Sequence, residues 1–154
     1  MIKVTKKFWY SLIFGLVIIL DRITKLEALA TYMQRGIVND WLSFEVSFNR
    51  GISWSMFHSQ HVWVFTTISL IIVGITLLLG VYAYARWLNK QAIVGEVLVL
   101  AGSVSNIIDR VLYGGVVDFI IFSYKDWVFP AFNVADVAIV CGVGIMLLEY
   151  YKES

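Results

Sequence analysis

This chain has little of what a water-soluble domain of its size is built with. Charged residues fill only 15% of its 154 positions, against 60% hydrophobic, where a soluble domain carries roughly 25% charged and 45–50% apolar residues. Mean hydropathy is +0.80. That apolar excess is too large for one small aqueous core, so the bilayer is the expected solvent. There is one cysteine, Cys141, inside an apolar run, so no disulfide framework forms within the chain; it reads as a small core or lipid-facing residue. One proline, Pro130, and the lack of Ser- or Gly-rich stretches, repeats and low-complexity segments leave no linker, and residues 1–154 read as a single membrane domain. The two histidines, His58 and His61, are spaced by three with no Glu in a His-Glu-x-x-His frame, which gives no metal site. A net charge of +1 gives no reason to expect a nucleic-acid partner.

What the chain does have is four apolar stretches, near residues 8–28, 62–85, 92–108 and 134–150. At about 1.5 Å rise per residue they approach the ~30 Å hydrocarbon thickness. Loops of residues 29–61 and 109–133 separate the first from the second and the third from the fourth. Lys3, Lys6 and Lys7 ahead of Phe8–Leu20 resemble a secretory signal, with Ala28-Leu29-Ala30 as a cleavage site. However, Asp21, Arg22, Lys25 and Glu27 put charges between that apolar core and the site, so the segment is expected to stay as a span.

Lys3, Lys6, Lys7, Arg86, Lys90 and Lys152 lie on one side of these spans in short termini and a tight turn. Arg22, Lys25, Arg35, Arg50, Arg110 and Lys125 lie on the other, diluted through long loops. Density of basic residues therefore puts both termini in the cytoplasm and both long loops outside. In the first loop, Trp41 to Phe48 alternates apolar and polar residues with period two, the mark of a half-buried strand. Tyr124 to Phe132, rich in aromatic residues, is expected to lie on the membrane surface likewise.

Ionisable groups inside a membrane segment cost roughly 2.5–3.5 kcal/mol each on insertion scales, so they face partners, water or a site. Asp21, Asn106, Asp109, Arg110, Asn133 and Asp136 all fall at the outer ends of spans, with Asp118 in the loop just before the fourth. Individually each has a structural reading. Asp109 beside Arg110 suits an ion pair at a helix end, Asp136 sits where a helix N-terminus favours an acid, and Asp21 with Lys25 is a favourable i,i+4 pair. Their joint placement at one membrane face points to chemistry instead. No Gly-x-Ser-x-Gly elbow is present and no histidine joins the cluster, which leaves paired carboxylates: two close Asp side chains share a proton, so one activates water while the other protonates the leaving group. A channel, transporter or proton relay is the competing class, but it predicts acids distributed along the membrane depth, and a passive scaffold leaves the convergence unexplained.

Five ordered stretches resemble the motifs of the bacterial lipoprotein signal peptidase (signal peptidase II) family. They are Asp21-Arg22-Ile23-Thr24-Lys25, Asn49-Arg50-Gly51, Ala101 to Arg110, Gly115-Val116-Val117-Asp118-Phe119-Ile120, and Phe129 to Asp136. The resemblance covers nearly the whole chain. It implies an all-α inner-membrane protein of four transmembrane helices with a small outer β platform and a short outer loop or helix, acting as a monomer without metal or cofactor. It implies an aspartic endopeptidase that removes the signal peptide of prolipoproteins just before a diacylglyceryl-modified cysteine. By motif position Asp118 and Asp136 are the catalytic pair. Asn49, Gly51, Asn106, Asp109, Arg110, Asn133 and Ala135 line or brace the substrate site, with Asp109 orienting Arg110, and Asp21 and Lys25 support it. Members usually have Gln at Arg22, Gly at Ser105, and a small-residue and Phe run at Ile52-Ser53-Trp54. These departures put the packing near Asn106 and the shape of the cleft in question.

Overall fold

The protein is described by a computed structural model covering residues 6–34, 36–51 and 61–153; Lys3, Arg35, the Ile52-Ser53-Trp54 departure and His58 lie outside the described residues. Helices and strands follow in the order α1 (Lys6–Thr31), β1 (Gly36–Ile37), β2 (Leu42–Asn49), α2 (Val62–Leu88), α3 (Val94–Tyr113), β3 (Val116–Tyr124), β4 (Trp127–Val128) and α4 (Val134–Glu153). Among the described residues the fold is thus four helices with one small open four-stranded sheet.

Among the described residues two helices, over Val62–Leu88 and Val134–Lys152, are long and apolar enough by length and composition to cross a membrane. α1 and α3 are long but carry more charge. Several of these charges point inward: Asp21 and Lys25 of α1, and Glu96, Asp109 and Arg110 of α3, are buried, whereas Lys6, Lys7 and Glu27 near the ends of α1 are exposed, as are Leu16, Ile19, Leu20 and Ile23 between them. The largest fully buried side chains are mostly polar, among them Lys25, Glu96, Asn133, Asp21 and Asp109. Such a molecule keeps polarity inside and apolar surface outside, the reverse of a soluble domain.

α3 packs against each of the other three helices. Small residues let it approach α4 closely: a Cβ on Gly102 would lie 2.4 Å from the Ala135 carbonyl oxygen, and one on Gly142 would lie 2.6 Å from that of Gly95. Without a hydrophobic drive between helices in lipid, close backbone packing of this kind supplies the adhesion. α3 runs five residues past the apolar stretch ending at Ile108 because the Asp109 and Arg110 side chains turn into the interior. It stops at Gly114, whose φ of 67° is the left-handed conformation that ends helices and suits glycine.

The sheet is antiparallel throughout in the order β1-β2-β3-β4, with α2 and α3 inserted between β2 and β3. The alternating stretch at 41–48 is the strand β2, with a register shift between Phe44 and Ser47 where the Val46 amide turns to the Tyr32 carbonyl (3.0 Å). Beyond β4 the chain doubles back, and Phe132 exchanges both backbone hydrogen bonds with Ile120 (3.1 and 2.9 Å). This return places Asn133 against β3. Trp127 and Tyr124 stay exposed, and Tyr124 packs on Trp41 at 5.0 Å between ring centres.

At the opposite end of the bundle, Arg86 of α2 bridges Glu96 of α3 (3.2 Å) and Glu149 of α4 (3.1 Å), with Glu96 fully buried. Removing one partner of a buried pair leaves the other charge uncompensated and costs about 3–5 kcal/mol. Arg86→Met is therefore expected to lower stability by that order, measured as unfolding in detergent.

Candidate active site

Asp118 and Asp136 reach one place from different elements. Asp118 sits on β3, which is buried along Val116, Val117, Asp118 and Phe119. Asp136 sits in the first turn of α4. Both line a cavity of about 120 Å³, room for several waters at roughly 10–15 Å³ each. Its other polar walls are Asn49, Asn106, Arg110 and Ser103, and Ile72, Val116 and Ile139 complete it.

Each carboxylate oxygen accepts a hydrogen bond from an amide. Asn49 Nδ2 donates to Asp118 Oδ2 (3.1 Å) and Asn133 Nδ2 to Asp118 Oδ1 (2.6 Å). Asn106 Nδ2 donates to Asp136 Oδ1 (2.9 Å), and the Asn133 backbone amide to Asp136 Oδ2 (3.3 Å). Asn133 Oδ1 in turn accepts from the Asp136 backbone amide (2.9 Å). Asn133 and Asp136, three residues apart, thus cap α4 reciprocally. Burial pushes the Asp118 carboxyl up to about 7, and the nearby charge of Asp136 adds to the effect against the Asn49 and Asn133 hydrogen bonds and the Lys25 charge, which hold it down.

Behind the cavity lies a second polar layer. Lys25 Nζ contacts Asp21 Oδ2 (2.7 Å), Asp109 Oδ2 (2.7 Å) and Asn106 Oδ1 (2.9 Å), which uses all three of its donors. Among the described residues no hydrogen bond or ion pair joins Asp109 to Arg110, although the Asp109 charge acts on that guanidinium. Adjacent helix positions do not face each other, and Asp109 instead meets Lys25, Arg22 (2.6 Å) and the Val117 amide (3.1 Å). Arg110 donates to the Gly51 carbonyl and the Ser69 hydroxyl (3.4 Å), its guanidinium 5.5 Å above the Phe65 ring. Gly51 also donates its amide to Asn49 Oδ1 (2.9 Å), a side-chain turn typical of Asn. Ala135, fully buried, gives its amide to Asp21 Oδ1 (2.9 Å).

Of the residues singled out by sequence, then, Asp118, Asp136, Asn49, Asn106 and Arg110 meet at the cavity, whereas Gly51, Asp109, Asn133, Ala135, Asp21 and Lys25 stand behind it. Ser103, Ile72, Val116 and Ile139 were not anticipated; three are ordinary apolar residues that carry no sequence signal. Ser105, fully buried, is accommodated because its hydroxyl donates to Asp21 Oδ2 (2.6 Å). The packing near Asn106 is therefore tight despite the added side chain. His61 stacks beside Trp63, and among the described residues no group of three His, Cys, Asp or Glu is placed to hold a metal ion. Cys141 is exposed on α4.

The model of the family described as signal peptidase (SPase) II matches residues 13–152. The lipoprotein signal peptidase of Teredinibacter turnerae is 36% identical over 147 residues, covering 92% of this chain and 85% of that protein. That of Clostridium tetani is 36% identical over 142 residues, covering 89% and 88%. A solved bacterial membrane enzyme, determined by the in meso method at 2.3 Å resolution, superposes with a TM-score of 0.74 at 25% identity over 94% of this chain and 88% of its own.

Proposed function

The chain belongs to the signal peptidase II family, and from that premise we propose that Asp118 and Asp136 are the carboxylates with which it cleaves diacylglyceryl-modified prolipoproteins just before the lipidated cysteine. It is an aspartic endopeptidase of the inner membrane, crossing it more than once. The observation that carries the residue assignment is that both carboxylates line one cavity, close enough that one charge disfavours the other.

A pair in that position shares a proton and titrates as a unit. The carboxylate without the proton takes one from water as the oxygen attacks the scissile carbonyl carbon. The other gives its proton to the carbonyl oxygen, leaving a neutral gem-diol. Collapse returns that hydroxyl proton to one carboxylate while the first proton passes to the departing nitrogen, so water is consumed and the dyad is restored. Asn49, Asn106 and Arg110 hold the substrate backbone at the cavity. Gly51, Asp109, Asn133 and Ala135 keep these groups in place, and Asp21 and Lys25 support them.

All four helices cross the bilayer, near residues 8–28, 62–85, 92–108 and 134–150, in a single domain that acts as a monomer. Both termini face the cytoplasm, and the sheet and the dyad lie at the outer face. The inward-turned charges of α1 and α3 support this, because they leave an apolar outer surface on helices whose composition alone falls short. An apolar groove of about 240 Å³, bounded by Phe129, Phe132, Val137, Val140 and Cys141, also reaches Asp136 and offers the lipid-bearing side of the substrate an approach from the bilayer.

The test is a gel-shift assay in detergent or lipid with a chelator present. Wild type is expected to cleave a diacylglyceryl-modified prolipoprotein and leave the unmodified precursor whole. Folded protein that leaves the modified substrate intact overturns the reading.

The pH dependence follows from Asp118. With its carboxyl at about 7, kcat/KM, which reports the free enzyme, is expected to fall as pH rises through about 7 and the shared proton is lost. Asn49→Ala removes a donor that favours the charged form, so the alkaline limb is expected to move to higher pH. Stability follows the same sign. The folded value is raised above the ordinary ~4, so the stability linked to this proton is full below about 4 and declines as pH climbs through about 7.

A further inference from the structure

The residue before each dyad aspartate is held by a buried aspartate of another element. The Val117 amide, just ahead of Asp118, donates to Asp109 Oδ2 of α3 (3.1 Å). The Ala135 amide, just ahead of Asp136, donates to Asp21 Oδ1 of α1 (2.9 Å). Asp109 and Asp21 are both fully buried. The distance between the two catalytic backbones therefore depends on how these two supports are tied to each other.

Lys25 is one tie, and Arg22 with Ser105 forms another. Ser105 Oγ donates to Asp21 Oδ2 (2.6 Å) and accepts from Arg22 Nε (3.2 Å). Arg22 Nη2 lies 2.6 Å from Asp109 Oδ1, an ion contact without hydrogen-bond alignment. The same nitrogen lies 3.3 Å from Asp21 Oδ2 and donates to the Ser105 carbonyl (3.3 Å). A planar guanidinium spans such a set of acceptors, and a hydroxyl both donates and accepts, so the residue types fit the task. The two cations and two anions balance, as a buried cluster requires. Neither Arg22 nor Ser105 lines the cavity.

We propose that Arg22 and Ser105 are positioning residues for the hydrolysis, setting the separation of Asp118 and Asp136 through Asp109 and Asp21. The proposal rests on the reading of Asp118 and Asp136 as the catalytic pair. Misplacing reacting groups by about 1 Å costs on the order of 100-fold in rate, so a brace at one remove from the chemistry acts on kcat and leaves substrate affinity alone.

The experiment compares full-length wild type, Ser105→Ala, Arg22→Lys, Arg22→Met and the Ser105→Ala/Arg22→Met double variant. It follows cleavage of the lipid-modified prolipoprotein and amide hydrogen exchange at Val117 and Ala135. Expected are a kcat lower by about 10-fold in Ser105→Ala and about 100-fold in Arg22→Met, with KM within about twofold. Arg22→Lys recovers part of the loss, and the double variant is no slower than Arg22→Met because the two residues form one tie. Val117 and Ala135 exchange faster in the variants while α2 is unchanged. A raised KM at constant kcat, losses that add in the double variant, or unchanged exchange at both amides each overturn the proposal. Should Arg22→Met not fold, Ser105→Ala and Arg22→Lys decide it by the same readouts. A wild type that does not cleave defeats the catalytic reading alone, and exchange at Val117 and Ala135 still decides the brace.

Discussion

Replacing either Asp118 or Asp136 by Asn is expected to lower kcat for prolipoprotein cleavage by roughly 10³-fold or more, with the protein still folded. A positioned acid or base contributes about 10²–10⁴-fold, and here each carboxylate takes both parts in turn, so the loss belongs at the upper end. Asn keeps the shape and one acceptor oxygen, which retains a partner for Asn49 or Asn133 at position 118 and for Asn106 or the Asn133 amide at position 136. A dead variant with unchanged unfolding behaviour therefore reports lost chemistry. The double variant is expected to be no slower than the worse single one, since groups acting as a unit do not add. Cleavage that persists in either single variant would mean that the pair is wrongly named.

Lys25→Met is expected to lower stability by at least about 3–5 kcal/mol and to leave little active protein. The reason lies in what Lys25 leaves behind. Its ammonium is almost wholly buried and contacts two carboxylates and one amide oxygen. Without it, Asp21 and Asp109 remain buried with Arg22 as their shared cation, and Asn106, which holds Asp136, keeps only the Asn133 Nδ2 donor (3.2 Å) on its own oxygen. Met fills comparable space, so the loss is electrostatic. Adding Asp109→Asn to Lys25→Met removes one stranded charge while an oxygen remains for the Val117 amide, so the double variant is expected to be more stable than Lys25→Met alone. Unfolding in detergent measures both. A single variant as stable as wild type would show that the cluster is not the keystone its burial implies.

The helices were legible because an apolar stretch has a length, and the strand β2 because its alternation has a period. β3 was not legible. Buried along Val116 to Phe119, it shows no alternation and reads as a plain apolar run, so Asp118 was placed in a loop when it stands on a strand. The convergence of acids and amides at one end could be read from where polarity falls along the spans. Their partners could not, because Arg22 and Ser105 are 83 residues apart and no spacing rule links them. Asp109 and Arg110 act on each other by charge without a direct contact, for a local reason: neighbours along a helix look in different directions. The clasp of Arg86, Glu96 and Glu149 went unseen because each residue, taken singly, looks like an ordinary charge at a helix end.

On the proposed assignment, the reciprocal cap between Asn133 and Asp136 makes a catalytic group a mechanical part as well. An ionised Asp136 accepts the amide that starts α4, and the dipole of that helix favours its charge. When Asp136 takes a proton in the cycle, it becomes a weaker acceptor, and the cap, of a kind typically worth about 1 kcal/mol, loosens. In the proposed cycle each turnover would relax and retighten the Asp136 arm of this cap, while the Asn133 oxygen keeps the Asp136 amide. Chemistry and local flexibility share one side chain.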